Sequence, residues 1–250
     1  MQRFVLAHGF TQSAQSWATF QRLLESRLPG ATTIAVDLPG HGDAAPPSDV
    51  DLWTSADRLA DQGGCGIYVG YSMGGRVAVH AALAHPDVVE RLVLIGATAG
   101  IDDPGERAAR RLADERLADH IEAVGVTTFI DEWLANPLFA GLTDVTAMRA
   151  DRLRNTPAGL AASLRATGTG TQTPLWDRLG EIECPVLVLV GEHDAKFTDL
   201  ACRLVDGLPR AELVVVPGAG HSVHLEQPDA TVGAIAAWLP RPGDDTHPHR

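Results

Sequence analysis

The stretch Gly70-Tyr71-Ser72-Met73-Gly74 limits what this chain can fold into more than any other. It stands between an apolar run, Cys65-Gly66-Ile67-Tyr68-Val69-Gly70, and an Ala/Val-rich segment of helical period. A Gly-x-Ser-x-Gly pattern in that setting is a sharp strand-to-helix turn. Side chains at the flanking positions would strike the strand or the helix, so glycine occupies both. The serine is forced into a strained conformation that pushes its hydroxyl out above the sheet. The helix behind it presents unpaired N–H groups and positive potential. Ser72 is thereby a candidate nucleophile or base.

Such a turn needs a sheet around it. Apolar runs of strand length fall at 4–7, 32–37, 65–70, 90–96, 185–191 and 212–217. Helical periodicity fills the stretches near 15–28, 50–62, 74–85, 197–207 and 228–239. The runs are continuous rather than alternating, as in parallel strands buried on both faces. The alternation predicts an α/β chain with a mostly parallel central sheet flanked by helices. From about Thr98 to Trp176 no strand pattern occurs, and the block is too long for a simple connection. The reading is a core of residues 1–97 and 177–239, a helical cap over 98–176, and a disordered tail over 240–250. His247 and His249 in that tail read as solvated residues rather than metal ligands.

Charge and cysteine content narrow the function classes. The formal net charge is −12, which disfavours nucleic acid and anionic membrane as partners. Any anion site must therefore be built locally, from a few arginines. Cys65, Cys184 and Cys202 form an odd set without Cys-x-x-Cys spacing. They are expected to be small buried hydrophobes, not a disulfide framework or a zinc site. No metal and no cofactor are expected, and nothing in the sequence defines a protein partner. No run of about 18 apolar residues appears. The first strand begins almost at Met1, with neither a secretory leader nor a leading hairpin. The expectation is a cytoplasmic chain.

A serine hydroxyl needs a histidine, and the histidine needs a carboxylate. Run 185–191 leads into Gly191-Glu192-His193-Asp194, and run 212–217 leads into Pro217-Gly218-Ala219-Gly220-His221-Ser222. Both loops follow strands and so lie at the same sheet edge as Ser72. The order serine, acid, histidine selects Asp194 and His221, with Glu192, His193 and His224 as rivals. Oxyanion donors should be the backbone N–H of Met73 and that of Phe10, in the His8-Gly9-Phe10 loop after the first strand. His41, in Leu38-Pro39-Gly40-His41-Gly42, reads as structural.

These motifs resemble the α/β-hydrolase superfamily. More specific features come from the middle of the chain: Glu106-Arg107-Ala108-Ala109-Arg110-Arg111, Trp133 with Pro137-Leu138-Phe139, Leu153-Arg154-Asn155, Ser163 to Gly170 with Gln172 to Trp176, and Gly191-Glu192-His193-Asp194-Ala195-Lys196-Phe197. Together they resemble the 2-succinyl-6-hydroxy-2,4-cyclohexadiene-1-carboxylate synthases of menaquinone biosynthesis, over nearly the whole chain. The resemblance implies a lyase that eliminates pyruvate from 2-succinyl-5-enolpyruvyl-6-hydroxy-3-cyclohexene-1-carboxylate, with the triad serine as base. It implies a polycarboxylate bound by His8, Gly9, Tyr71, Arg76, Arg110, Trp133 and Arg154. For the two cap arginines the neighbours Arg107, Arg111, Arg149 and Arg152 are rivals. Two other readings fit the same triad. One is a serine hydrolase, either a carboxylesterase or a carbon–carbon hydrolase; the other is a non-catalytic small-ligand-binding protein.

Overall fold

The computed structural model describes residues 2–45 and 50–240. The expected tail beyond Pro240, with His247 and His249, lies outside the described residues. Strands β1 (Arg3–Ala7), β2 (Thr32–Val36), β3 (Gly66–Tyr71), β4 (Val89–Ile95), β5 (Val186–Gly191) and β6 (Ala211–Val216) are all parallel, in the order β2-β1-β3-β4-β5-β6. The chain runs outward from β1 to β2, then returns across β1 to β3. A crevice opens where the order reverses, at the carboxyl ends of β1 and β3.

Strands β3 and β5 are buried along their full length, which accounts for their unbroken apolar runs. The edge strands depart from that expectation. β2 and β6 are half exposed, with Ile34 and Val215 facing solvent. An apolar run alone does not reveal which strand lacks a neighbour.

Helices α1 (Ala18–Arg27), α2 (Leu52–Gly63) and α3 (Met73–Ala84) follow the first three strands. Asp51 caps α2 through a reciprocal pair of bonds with Thr54. The chain then leaves the sheet for α4 (Pro104–Leu134), α5 (Arg149–Arg152) and α6 (Pro157–Thr167), and residues 98–176 contain no strand. Helix α4 breaks at Gly125, whose φ of 80° suits glycine alone. The chain reverses there. His120 Nε2 meets Glu132 Oε2 at 2.6 Å, a separation of twelve residues that a straight helix would hold about 18 Å apart. Ala118, Ile121, Phe129 and Ile130 of α4 pack on Leu160, Ala161 and Leu164 of α6, with Phe10 against them from the sheet side. The excursion thus has a small core of its own. Arg165 fastens its rim through Glu115, Asp119 and Glu122.

After β5 come α7 (Ala195–Gly207), α8 (Val223–Glu226) and α9 (Pro228–Trp238). Residues of α2, α3 and α7 cover one face of the sheet, and those of α1 and α9 the other. Among the described residues no helix is long and apolar enough to cross a membrane. The cysteines need correction. Cys65 and Cys202 are exposed, and only Cys184 is partly buried. Cys65 precedes β3 rather than lying in it, and Cys202 sits on the outer side of α7.

Besides His221, four imidazoles are buried, and two of them, His8 and His41, hold loops. His8 Nδ1–H donates to the Gly9 carbonyl while Nε2 accepts from Leu38 N–H. His41 Nδ1–H donates to Pro39 and Nε2 accepts from Thr11 N–H. His80 donates to the Arg76 carbonyl, and His224 is packed between Trp17 and Tyr71. Burial lowers the pKa of all four, to about 4 for His80 and about 3 for His224. Each is shifted towards its neutral form in the fold, yet protonates near 6.5 once unfolded. Unfolding therefore takes up protons below that pH, and stability falls as pH drops from 6.5 towards 4. Urea unfolding across that window should show this loss. His224→Phe should reduce the slope by about one proton, or about 1.4 kcal/mol per pH unit. An unchanged slope would show that His224 titrates normally.

Candidate active site

The site begins with a contact between glycines. A Cβ on Gly70 would lie 2.5 Å from the Gly74 carbonyl oxygen, and a Cβ on Gly74 would overlap the Ala7 carbonyl. Their absence lets α3 press onto the ends of β1 and β3. Ser72 between them takes φ 50° and ψ −106°, a conformation that side chains rarely adopt. Its N–H is held by the Ile95 carbonyl at 2.8 Å.

The loop after β6 brings His221 to this serine, with Nε2 3.3 Å from Ser72 Oγ. His221 Nδ1–H donates to Asp194 Oδ2 at 2.7 Å, leaving the Nε2 lone pair for the serine. Asp194 follows β5 and also caps α7 through Phe197 N–H at 3.4 Å. His221 and Asp194 are both buried. The rivals lie elsewhere. His193 and Glu192 are exposed, and His224 is enclosed behind Tyr71.

Beside Ser72 lies a cavity of about 310 Å³, a volume typical of small-molecule sites. Phe10 and Met73 line it. Met73 opens α3, so its N–H has no acceptor within the helix. Gly9, Thr11 and Gln12 use their amides within the fold; among the described residues no protein acceptor takes the Phe10 N–H. Two N–H donors are thus available near the serine.

The cavity wall is basic in an acidic protein. Arg76, Arg110, Arg152 and Lys196 line it, and among the described residues Asp114 is the one carboxylate that does. Arg76 is buried, and Nη1 donates to the Thr167 carbonyl at 2.7 Å and Gln172 Oε1 at 3.3 Å. Burial, with Arg110 nearby, lowers its pKa to about 10, so it stays charged at neutral pH. Arg152 is buried too. It donates to the Ala147 carbonyl at 2.8 Å and to Thr11 Oγ1, and its Nη2 has no partner among the described residues. Among the described residues neither arginine has a carboxylate within ion-pair distance; Arg110 pairs with Asp114 at 2.7 Å. Phe10, Trp133 and Phe139 supply the apolar wall, stacked edge to face or tilted against one another.

Comparison with known proteins shows the family. The alpha/beta hydrolase family model matches residues 4–234. A 2-succinyl-6-hydroxy-2,4-cyclohexadiene-1-carboxylate synthase of Serratia proteamaculans (strain 568) is 33% identical over 244 residues, 94% of this chain and 92% of the relative. A Bacillus subtilis (strain 168) protein that carries the same name provisionally is 38% identical over 239 residues, 90% of this chain and 85% of its own. The chain belongs to the 2-succinyl-6-hydroxy-2,4-cyclohexadiene-1-carboxylate synthase family of alpha/beta hydrolases. A solved structure of MenH from S. aureus superposes with a TM-score of 0.86 at 30% identity, covering 94% of this chain and 92% of that one.

Within this synthase-family site, the sequence-derived candidates divide. Ser72, His221, Phe10, Met73, Tyr71, Arg76, Arg110 and Trp133 all line the cavity, with Asp194 behind His221. Three candidates do not line it. His8 spends both ring nitrogens on the backbone. Gly9 is a spacer, since a Cβ there would lie 2.5 Å from the Tyr71 ring. Arg154 points outward to Asp43, 3.0 Å away, and its place in the cavity is taken by Arg152. The helix α5 that carries Arg152 is only four residues long, too short for periodicity to reveal which arginine faces inward.

Sequence reasoning also missed Gly96, which follows β4. Its φ is +54°, and a Cβ there would lie 2.9 Å from His221 Cε1. Gly96→Ala should push the imidazole away from Ser72. The expected result is at least about tenfold slower labelling of Ser72 by a fluorophosphonate, with unchanged far-ultraviolet circular dichroism. Labelling at the wild-type rate would show that the ring has room to spare.

Proposed function

We propose that this chain is a carbon–oxygen lyase of menaquinone biosynthesis. It eliminates pyruvate from 2-succinyl-5-enolpyruvyl-6-hydroxy-3-cyclohexene-1-carboxylate to give 2-succinyl-6-hydroxy-2,4-cyclohexadiene-1-carboxylate. The observation that carries this reading is the pair of buried guanidinium groups, Arg76 and Arg152, on the same cavity as Ser72. A buried guanidinium is costly unless a counter-charge meets it. Substrate carboxylates are suitable partners, through charge-assisted and often bidentate hydrogen bonds. The names of the synthase relatives support the same reading.

The residues then have the following roles. Ser72 Oγ takes the proton from ring carbon 2 while its own proton passes to His221 Nε2. Asp194 holds the imidazole in register and stabilises its charged form. The electron pair freed at carbon 2 forms the bond to carbon 3, and the ring double bond moves to carbons 4 and 5. The bond from carbon 5 to oxygen breaks. The leaving group departs as the enolate of pyruvate and takes up a proton. Charge spreading onto the succinyl carbonyl beside carbon 2 is met by the N–H groups of Phe10 and Met73. No acyl-enzyme forms. Residues 98–176 act as a cap, whose Arg110, Trp133, Phe139 and Arg152 exclude water and so strengthen each ionic contact. The same triad could hydrolyse esters, but a pocket for neutral esters would have no use for two buried arginines.

A pyruvate-release assay on purified protein tests the reading. Ser72→Ala should lower kcat by about a thousandfold or more. Arg76→Ala and Arg152→Ala should each lower kcat/KM by about 30-fold to several thousandfold, the equivalent of about 2–5 kcal/mol. Arg154→Ala should stay within about threefold of wild type, as an exposed ion pair contributes little. Absence of pyruvate from the cyclohexene substrate, or equal losses at Arg152 and Arg154, would overturn the proposal.

A further inference from the structure

We infer that Glu226 is a positioning residue for His221, and that the chain around Gly141 holds Glu226 in place. The inference rests on the reading of Ser72 and His221 given above. His221 is carried by a loop, Pro217 to Ser222, that contains two glycines and an alanine immediately before it. Such a loop has little stiffness of its own. Yet the ring it carries must lie between Asp194 and Ser72 with hydrogen-bond accuracy.

The start of the loop is held by Glu192 Oε2, which accepts from Gly218 N–H at 2.9 Å, and by His193 N–H, which donates to the Ala219 carbonyl at 2.9 Å; Glu226 supplies the restraint at His221 itself. It ends α8 and turns back on the loop. Oε2 accepts from Gly220 N–H at 2.7 Å, and Oε1 accepts from Ser222 N–H at 2.9 Å. The two amides flank His221, so one carboxylate grips the backbone on both sides of it. Bonds from amides to a charged acceptor are stronger than neutral ones. The grip also extends to the cavity wall, because Ser222 Oγ lies 2.8 Å from the Tyr71 hydroxyl.

The other side of this carboxylate is the helical excursion. A Cβ placed on Gly141 would overlap Glu226 Oε2. Gly141 does not have a positive φ, so its backbone conformation does not call for glycine; close approach to the carboxylate does. Glu226 is therefore confined between the His221 loop and residue 141. The placement of the excursion and the placement of the imidazole are linked through one side chain.

The test uses the full chain and a fluorophosphonate. In that reaction Ser72 Oγ bonds to phosphorus, fluoride leaves, and His221 takes the serine proton. Labelling therefore reports on the Ser72–His221 pair without the elimination substrate. In Glu226→Gln one oxygen remains an acceptor, while the new NH₂ faces an N–H donor. Labelling rate and kcat should both fall by about tenfold to a hundredfold, with KM within about threefold of wild type. Gly141→Ala, which leaves the carboxylate chemistry intact, should slow labelling in the same direction by about fivefold or more. A folded Glu226→Gln that labels and turns over at wild-type rates overturns the positioning role. Wild-type rates in Gly141→Ala overturn the link to the excursion. If Glu226→Gln does not fold, Gly141→Ala decides alone: slower labelling supports the inference, and unchanged labelling overturns it. Failure of the reading beneath it is separate, because Ser72→Ala would then keep its label or its activity.

Discussion

The rest of the site depends on the close approach of α3 to β1 at Gly74. The helix can start where it does only because no side chain stands between Gly74 and the Ala7 carbonyl. That approach leaves Ser72 no ordinary backbone conformation, and a positive φ of this kind costs about 1–3 kcal/mol. Burial of Val77, Ala78 and Ala81 against the sheet and the Ser72 N–H bond to Ile95 offset it. The same helix start settles two further positions. Met73 has its N–H free because it is the first helical residue, and Arg76 enters the cavity because it lies one turn on, with its own N–H bonded to the Ser72 carbonyl. The positions of Ser72, of the free Met73 N–H and of Arg76 are consequences of one contact.

The opposite wall is tied to the sheet by polar bonds. Asn155 donates to the Thr11 carbonyl and accepts from Gly42 N–H, so it joins the excursion to two loops at the sheet edge. Asp151 takes Ser13 N–H and its hydroxyl. Thr11 is itself at φ 70°, next to the Phe10 amide, which no protein acceptor takes among the described residues. Neutral His8 and His41 brace the same loops from within, each by accepting an amide proton. The shape of this loop is thus decided jointly by residues far apart in sequence.

That division explains what could be read from the sequence. The sheet, its flanking helices and the turn at Ser72 are legible because they follow local rules: continuous apolar runs, helical period, and glycine where atoms crowd. Asp194 and His221 are legible because each lies in the loop that follows a strand. Arg76 is legible because helical spacing fixes it relative to Ser72. Arg152 is not, because nothing in the pattern distinguishes it from Arg154; the choice is made with Thr11, a contact from 141 residues away that only the folded chain brings together. Gly96 and Gly141 are likewise silent in sequence, since their neighbours His221 and Glu226 arrive from more than 80 residues away. The edge strands mislead for a related reason. Exposure of β2 and β6 is a property of strand order, not of composition.

Charge completes the argument. A chain at −12 repels anions at long range, and screening confines that repulsion to about 10 Å at ordinary salt. Inside the cavity the local charges decide. Arg110 is matched by Asp114, but Arg76 and Arg152 have no carboxylate partner among the described residues. Burial lowers the pKa of Arg76 most and Arg110 lowers it further, while Asp114 raises it by less than either, so the nearby carboxylate does not make up for the burial. A neutral ligand would leave both guanidinium groups desolvated and unmatched. A ligand with separated carboxylates would satisfy them and be oriented by them, with its reacting carbon placed over Ser72. Under the proposed function, the cost of burying the arginines would become selectivity for a polyanion, in a protein whose overall field would otherwise turn one away.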